Sequence, residues 1–232
     1  MADSDTSRES MARDRARRLA DPGGTWPTKR RLAEALRRLI DRLCSTAAPE
    51  ANLIEATDWA TRTAALFEAA GDVEEAQAAS LYSGMHDFGD RGPVCGLSNP
   101  IAPPMKTESD PESQSASATV TFGHAYEGAP GCVHGGFVAA AFDEILGMVS
   151  SYAGRAAMTG EFTVRYRRPT PVGVPLRIEA RFDEHRGRRI HTSADLFQGD
   201  IRLADARGLF IVIPDDRFAQ LEREFSERQN QD

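Results

Sequence analysis

The sequence is short of most features that announce a function on their own. It has three cysteines in 232 residues. Cys44, Cys95 and Cys132 are widely spaced and form no metal-ligand pattern. That excludes a disulfide framework and a zinc knuckle, and it fits a reduced, cytoplasmic compartment with no expected metal or cofactor. Positive charge is also scarce. With 28 basic against 35 acidic residues the net charge is −7, so the chain lacks the basic face needed to displace counterions from nucleic acid. No run reaches the ~18 apolar residues of a membrane span. The opening stretch, MADSDTSRESMARDRARRLAD, has no apolar core like that of a secretion signal, and Asp3, Asp5, Glu9 and Asp14 argue against an organellar presequence.

What is present supports a core, since 41% of the residues are hydrophobic. Residues 1–27 read as a disordered tail ending in Pro and Gly. Residues 28–88 read as a helical extension. From Thr28 to Ser45, Leu32, Leu36, Leu39 and Leu43 form one stripe among arginines. From Glu50 to Ala70, Leu53, Ala56, Ala60, Ala64 and Phe67 form another, and a short third helix is expected from Val73 to Leu81. The two stripes need something to pack on, while the arginines read as solvated charge. Residues 89–117 are rich in Pro, Ser and Gly, and regular structure is not expected there.

Residues 118–214 have a different rhythm. Val120 and Phe122 alternate with threonines, as in a half-buried strand. A long apolar helix follows, then strand-like runs over 158–169, 174–185, 188–198 and 201–214, joined by short Gly- and Pro-containing turns. An antiparallel meander with one apolar helix on its face is the expected architecture. Residues 215–232 read as a charged C-terminal helix, about Phe218 to Arg228, or tail.

The helix lies in GCVHGGFVAAAFDEILGMVSSYAG, residues 131–154. Gly135 and Gly136 stand where a helix leaves its first N–H groups unpaired, and glycine there lets an oxygen come close to the backbone. Such a place can bind an anion or a developing oxyanion. A tight strand-to-helix turn would ask for the same glycines. Asp143 sits among Phe137, Val138, Ala140, Phe142, Ile145 and Leu146, which predicts a buried carboxylate, either partnered or functional. Glu144 follows directly, but adjacent helical residues point about 100° apart, so only one of the two acids faces a site.

These parts, in this order, resemble the hotdog-fold thioesterases, in particular the PaaI-like (phenylacetate-degradation) branch. That family shows His-Gly-Gly, an apolar helix and an acid nine residues after the His, here His134 and Asp143. Thr159 in AMTGEFTVRYRRPTPVG, the Tyr166-Arg167-Arg168-Pro169 run and CGLSNP at 95–100 match further family features. The resemblance covers about residues 94–214 and leaves the N-terminal extension outside it.

The resemblance implies an α+β hotdog fold, a long central helix wrapped by a curved antiparallel sheet. It implies homodimers, often assembled further into homotetramers, with acyl-CoA thioesters as substrates. Carried over, Asp143 is the catalytic carboxylate, as general base or nucleophile. The N–H of Gly135 or Gly136 polarises the carbonyl, Thr159 orients the water or Asp143, and His134 shapes the turn or bonds near the carbonyl. CoA phosphates need a basic rim. Arg165 and Arg167 share one strand face, Arg168 takes the other, and Arg186, Arg188 and Arg189 lie at a turn. From the His-Gly-Gly turn to Asp143 is about 13 Å along one helix at 1.5 Å per residue. The two groups therefore meet one carbonyl only if they come from different protomers. Alternatives are a non-catalytic acyl-CoA binder on this fold, a hydratase, disfavoured because no His follows Asp143 until His185, and an N-terminal partner-binding module.

Overall fold

The computed structural model describes residues 25–70, 90–103, 105–214, 217 and 220. The helices expected at 73–81 and 218–228, and all but the last three residues of the N-terminal tail, fall outside them or in isolated positions. Helices α1 (Trp26–Ser45) and α2 (Glu50–Ala70) come first. Strands β1 (Lys106–Asp110) and β2 (Ser115–Val120) follow, then helix α3 (Gly135–Ser150). Strands β3 (Ala157–Tyr166), β4 (Leu176–Arg186), β5 (Arg189–Gln198) and β6 (Ile201–Val212) complete the order.

Val138, Ala141, Phe142, Ile145, Leu146 and Val149 recur at steps of three and four and are all buried, so α3 lays one stripe on the sheet. The sheet answers with alternate residues: Ala116, Ala118 and Val120 on β2, Leu176, Ile178 and Ala180 on β4, and Ala204, Ala206 and Phe210 on β6. Gly208 belongs to the same row. A Cβ there would sit 2.8 Å from the Phe210 ring and 3.0 Å from the Thr192 hydroxyl, so only glycine fits without a shift of these two neighbours. This is the helix wrapped by an antiparallel sheet that the resemblance implied.

Two expectations are corrected. The strands do not form a meander: the order is β1-β2-β4-β5-β6-β3, all antiparallel. The β4–β5 and β5–β6 links are two-residue turns with Gly187 and Gly199 at positive φ. The β3–β4 link holds Pro169, Pro171 and Pro175 and crosses over instead, which puts β3 at a sheet edge beside β6. Second, residues 89–117 are not devoid of regular structure, because β1 and the start of β2 lie inside them. Their Pro, Ser and Gly content reads as linker, yet small Ala116 there, like Ala118 just beyond, is buried on β2 under α3.

The N-terminal extension packs differently from the prediction. Only Ala33 of α1 is buried. Leu32 and Leu36 are half-buried, while Leu39 and Leu43 are 41% and 63% exposed, so the leucine stripe is not laid into a core. The docked face is polar instead. Arg30 pairs with buried Asp90 at 2.9 Å. Arg37 donates to the carbonyls of Leu97 and Asn99, and the Ala125 N–H donates to Asp41 at 3.3 Å. Helix α2 buries no residue, with Leu53 and Phe67 of its expected stripe exposed.

Candidate active site

Outside the buried stripe of α3 stand Gly136, Ala139, Ala140, Asp143 and Gly147, none of them buried. Asp143 is exposed in the single chain, which corrects the expectation of a buried acid. Alanine and glycine count as apolar in a sequence, so one buried stripe plus a small-residue face reads as a helix apolar all round. Asp143 is nonetheless held in place. The Thr159 hydroxyl donates to Asp143 Oδ1 at 2.9 Å. Thr159 owes its position to a β-bulge, where the register of β3 against β6 shifts between Thr159 and Glu161. Glu144 points elsewhere and accepts from the Cys95 thiol at 3.0 Å. Only one of the adjacent acids therefore joins the Thr159 side.

At the start of α3, His134 is the N-cap, and its Nδ1 accepts from the Gly136 N–H at 3.1 Å. An accepting Nδ1 leaves the proton of the neutral ring on Nε2. The two glycines thus differ. The Gly136 N–H is taken by the imidazole, while the Gly135 N–H has no acceptor among the described residues. The Gly135 carbonyl accepts from the Tyr166 hydroxyl at 2.7 Å, and a Cβ on Gly135 would stand 3.2 Å from that oxygen. Burial raises the Tyr166 phenol, which keeps it a neutral donor. Sequence reasoning noted Tyr166 only as part of the Tyr-Arg-Arg-Pro run and gave it no task at the turn.

Of the arginines expected to meet phosphate, Arg167 is paired with Asp205, Arg186 with Glu184, and Arg188 donates to the Val212 carbonyl. Arg165 and Arg168 are exposed and carry no ion pair among the described residues. Asn99 of CGLSNP works locally, donating to the Arg91 carbonyl and accepting from the Ile101 N–H. Among the described residues no group of three His, Cys, Asp or Glu side chains could hold a metal ion, and no helix is long and apolar enough to cross a membrane.

The family model described as "Thioesterase superfamily" matches residues 130–204, from the His-Gly-Gly turn into β6. The crystal structure of protein RHA08564, a thioesterase superfamily protein, is 30% identical, with a TM-score of 0.69 over 83% of this chain and 97% of that one. The chain belongs to the thioesterase superfamily. The match to RHA08564 takes in far more of the chain than the family model does. Among curated superfamily relatives, the acyl-coenzyme A thioesterase THEM4 of Xenopus laevis is 33% identical over 89 residues, 38% of this chain. THEM4 of Bos taurus is 33% identical over the same length. The match spans 40% and 36% of those two proteins, well under half of each.

Proposed function

We propose that the chain is an acyl-CoA thioesterase of the PaaI-like branch, with residues 118–214 as its catalytic unit. The observation that carries this reading is the 2.9 Å hydrogen bond from Thr159 to Asp143. It fixes one carboxylate oxygen and leaves Oδ2 for a water. Asp143 takes a proton from that water as oxygen adds to the thioester carbonyl. The Gly135 N–H, at the positive end of α3, donates to the resulting oxyanion. Collapse breaks the C–S bond, and the departing CoA thiolate recovers the proton from Asp143, giving free acid and CoA. The acyl-CoA thioesterase relatives in the aligned region support this substrate class.

Gly135 and Asp143 are eight residues apart on one helix, about 12 Å, so the two act on one carbonyl across a homodimer. The open outer side of edge strand β3 and the exposed small-residue face of α3 support pairing of two copies there. Among the described residues Arg165 and Arg168, exposed and outside any ion pair, are the cations assigned to CoA phosphates. Cysteines that form no disulfide among the described residues fit a cytoplasmic setting.

The test is thiol release from a panel of acyl-CoAs by the wild type and Asp143→Asn. Hydrolysis by the wild type and a loss of about 10²–10⁴-fold in the variant are expected. Full activity in Asp143→Asn sinks the assignment. A wild type that binds acyl-CoA and hydrolyses none is a binder on this fold, not an enzyme.

A further inference from the structure

A cavity of about 820 Å³ lies between α1 and the first half of α3. Its walls include Ile40 of α1, Val94 and Ile101 of the segment before β1, Tyr126, and Phe137 and Ala140 of α3. This volume falls within the range of ligand chambers. Charged side chains of α1 also reach the lining, but two of them are already committed. Arg37 is bonded to the Leu97 and Asn99 carbonyls and Asp41 to the Ala125 N–H. Burial pushes the Tyr126 phenol up to about 12, so that wall stays neutral as well. Glu34, Arg38 and Thr121 also line the space, but most of the remaining wall is apolar, including Ile101 at 60% exposure and Phe137 at 39%.

The cavity's position relates it to the acid. Ala140 lies three residues before Asp143, and helical side chains three apart are neighbours on one face. The chamber therefore reaches to within one turn of the carboxylate. Its outer wall is also fixed in place. A Cβ on Gly123 would fall 2.1 Å from Asp41 Oδ1, so α1 sits against this loop with no room to approach further.

We propose that this chamber takes the apolar acyl chain of the thioester and that α1 limits the chain length accepted, with Ile40 and Ile101 as specificity-determining residues. The proposal rests on the thioesterase reading for its substrate and assigns the extension a part in choosing it. The apolar part of the chamber suits an acyl chain rather than the CoA moiety, whose phosphates and pantetheine amides need polar partners.

The experiment fills the chamber from opposite walls with Ile40→Trp and Ile101→Trp in the full chain, each checked for an unchanged melting temperature. The first arm titrates a fluorescent C18 polyene fatty acid into each protein. The second measures kcat and KM for palmitoyl-, octanoyl- and acetyl-CoA. Fatty-acid affinity should fall at least about tenfold in both variants. The KM for palmitoyl-CoA should rise by a similar factor, while kcat/KM for the shortest substrate hydrolysed stays within about twofold. If all three proteins hydrolyse acyl-CoAs with one chain-length profile and bind the fatty acid alike, the chamber assignment is overturned and the thioesterase reading stands. If the wild type hydrolyses nothing but binds the fatty acid, and both variants lose it, the thioesterase reading falls and the apolar chamber stands.

Discussion

Helices α1 and α3 both carry an apolar stripe at steps of three and four, and the fold uses the two stripes in opposite ways. In α3 the stripe is buried on the sheet, and the opposite face of small residues is left open for Asp143. In α1 Leu39 and Leu43 are exposed and Leu32 and Leu36 only half-buried, and the helix is attached through Arg30, Arg37 and Asp41. Periodicity reveals that a helix has two faces, but the partner decides which face is covered. The sheet offers α3 an apolar floor. The segment before β1 offers α1 exposed backbone carbonyls, and a guanidinium satisfies those better than leucine does.

The sharpest way to break this contrast is to truncate one residue from each stripe. Phe142 is fully buried, and Phe142→Ala should cost about 3–5 kcal/mol by urea unfolding. Leu43 is 63% exposed, and Leu43→Ala should stay within about 0.5 kcal/mol. Comparable losses at both positions would mean that the leucine stripe is covered in solution.

The polar attachment predicts a smaller, local effect. Arg37→Ala removes charged hydrogen bonds to two backbone carbonyls, worth about 1.5–3 kcal/mol. The loss should appear as faster amide hydrogen exchange along α1 with exchange in α3 unchanged. Equal acceleration in both helices would show that they unfold as one unit.

The sequence carried these features unevenly. The alternation of Leu176, Ile178 and Ala180 placed β4 and its inward face, because period two survives wherever one face is buried. Asp143 and Thr159 were paired only through the family pattern. They lie 16 residues apart on a helix and a strand, and no local periodicity links them. The exposure of Asp143 was misjudged because Ala139, Ala140 and Gly147 add apolarity without adding bulk. Strand order was hidden too, since nothing local in Pro169–Pro175 says that β3 will pair with β6 rather than β4. The docking of α1 lay in arginines that look like solvated charge until the carbonyls facing them are known.

At the site, Thr159→Ala removes one hydrogen bond to Asp143. The loss should be about 1 kcal/mol in kcat/KM, roughly fivefold, with the melting temperature unchanged because Thr159 is exposed. Thr159→Ser should restore most of the rate. A Ser variant no better than Ala would remove the hydroxyl from the argument.

The smallest effect expected concerns the loop that joins the two regions, since Ala125 meets α1 while the His134 N–H donates to the Tyr126 carbonyl. Within it, the Gly131 N–H and the His124 ring bond to Glu127, and these interactions, the Gly131 N–H foremost, hold its carboxyl below the usual glutamate value. For a carboxyl depressed by folding, the stabilising interaction is complete above the unfolded pKa and is lost as pH falls through the lower, folded one. The Gly131 amide resonance should therefore shift on acidification with a midpoint below that of an ordinary glutamate, and Glu127→Gln should abolish the transition. A midpoint at or above the ordinary value would mean that the carboxylate does not hold this loop. The coupling between α1 and the His-Gly-Gly turn would then rest on Asp41 and the backbone alone.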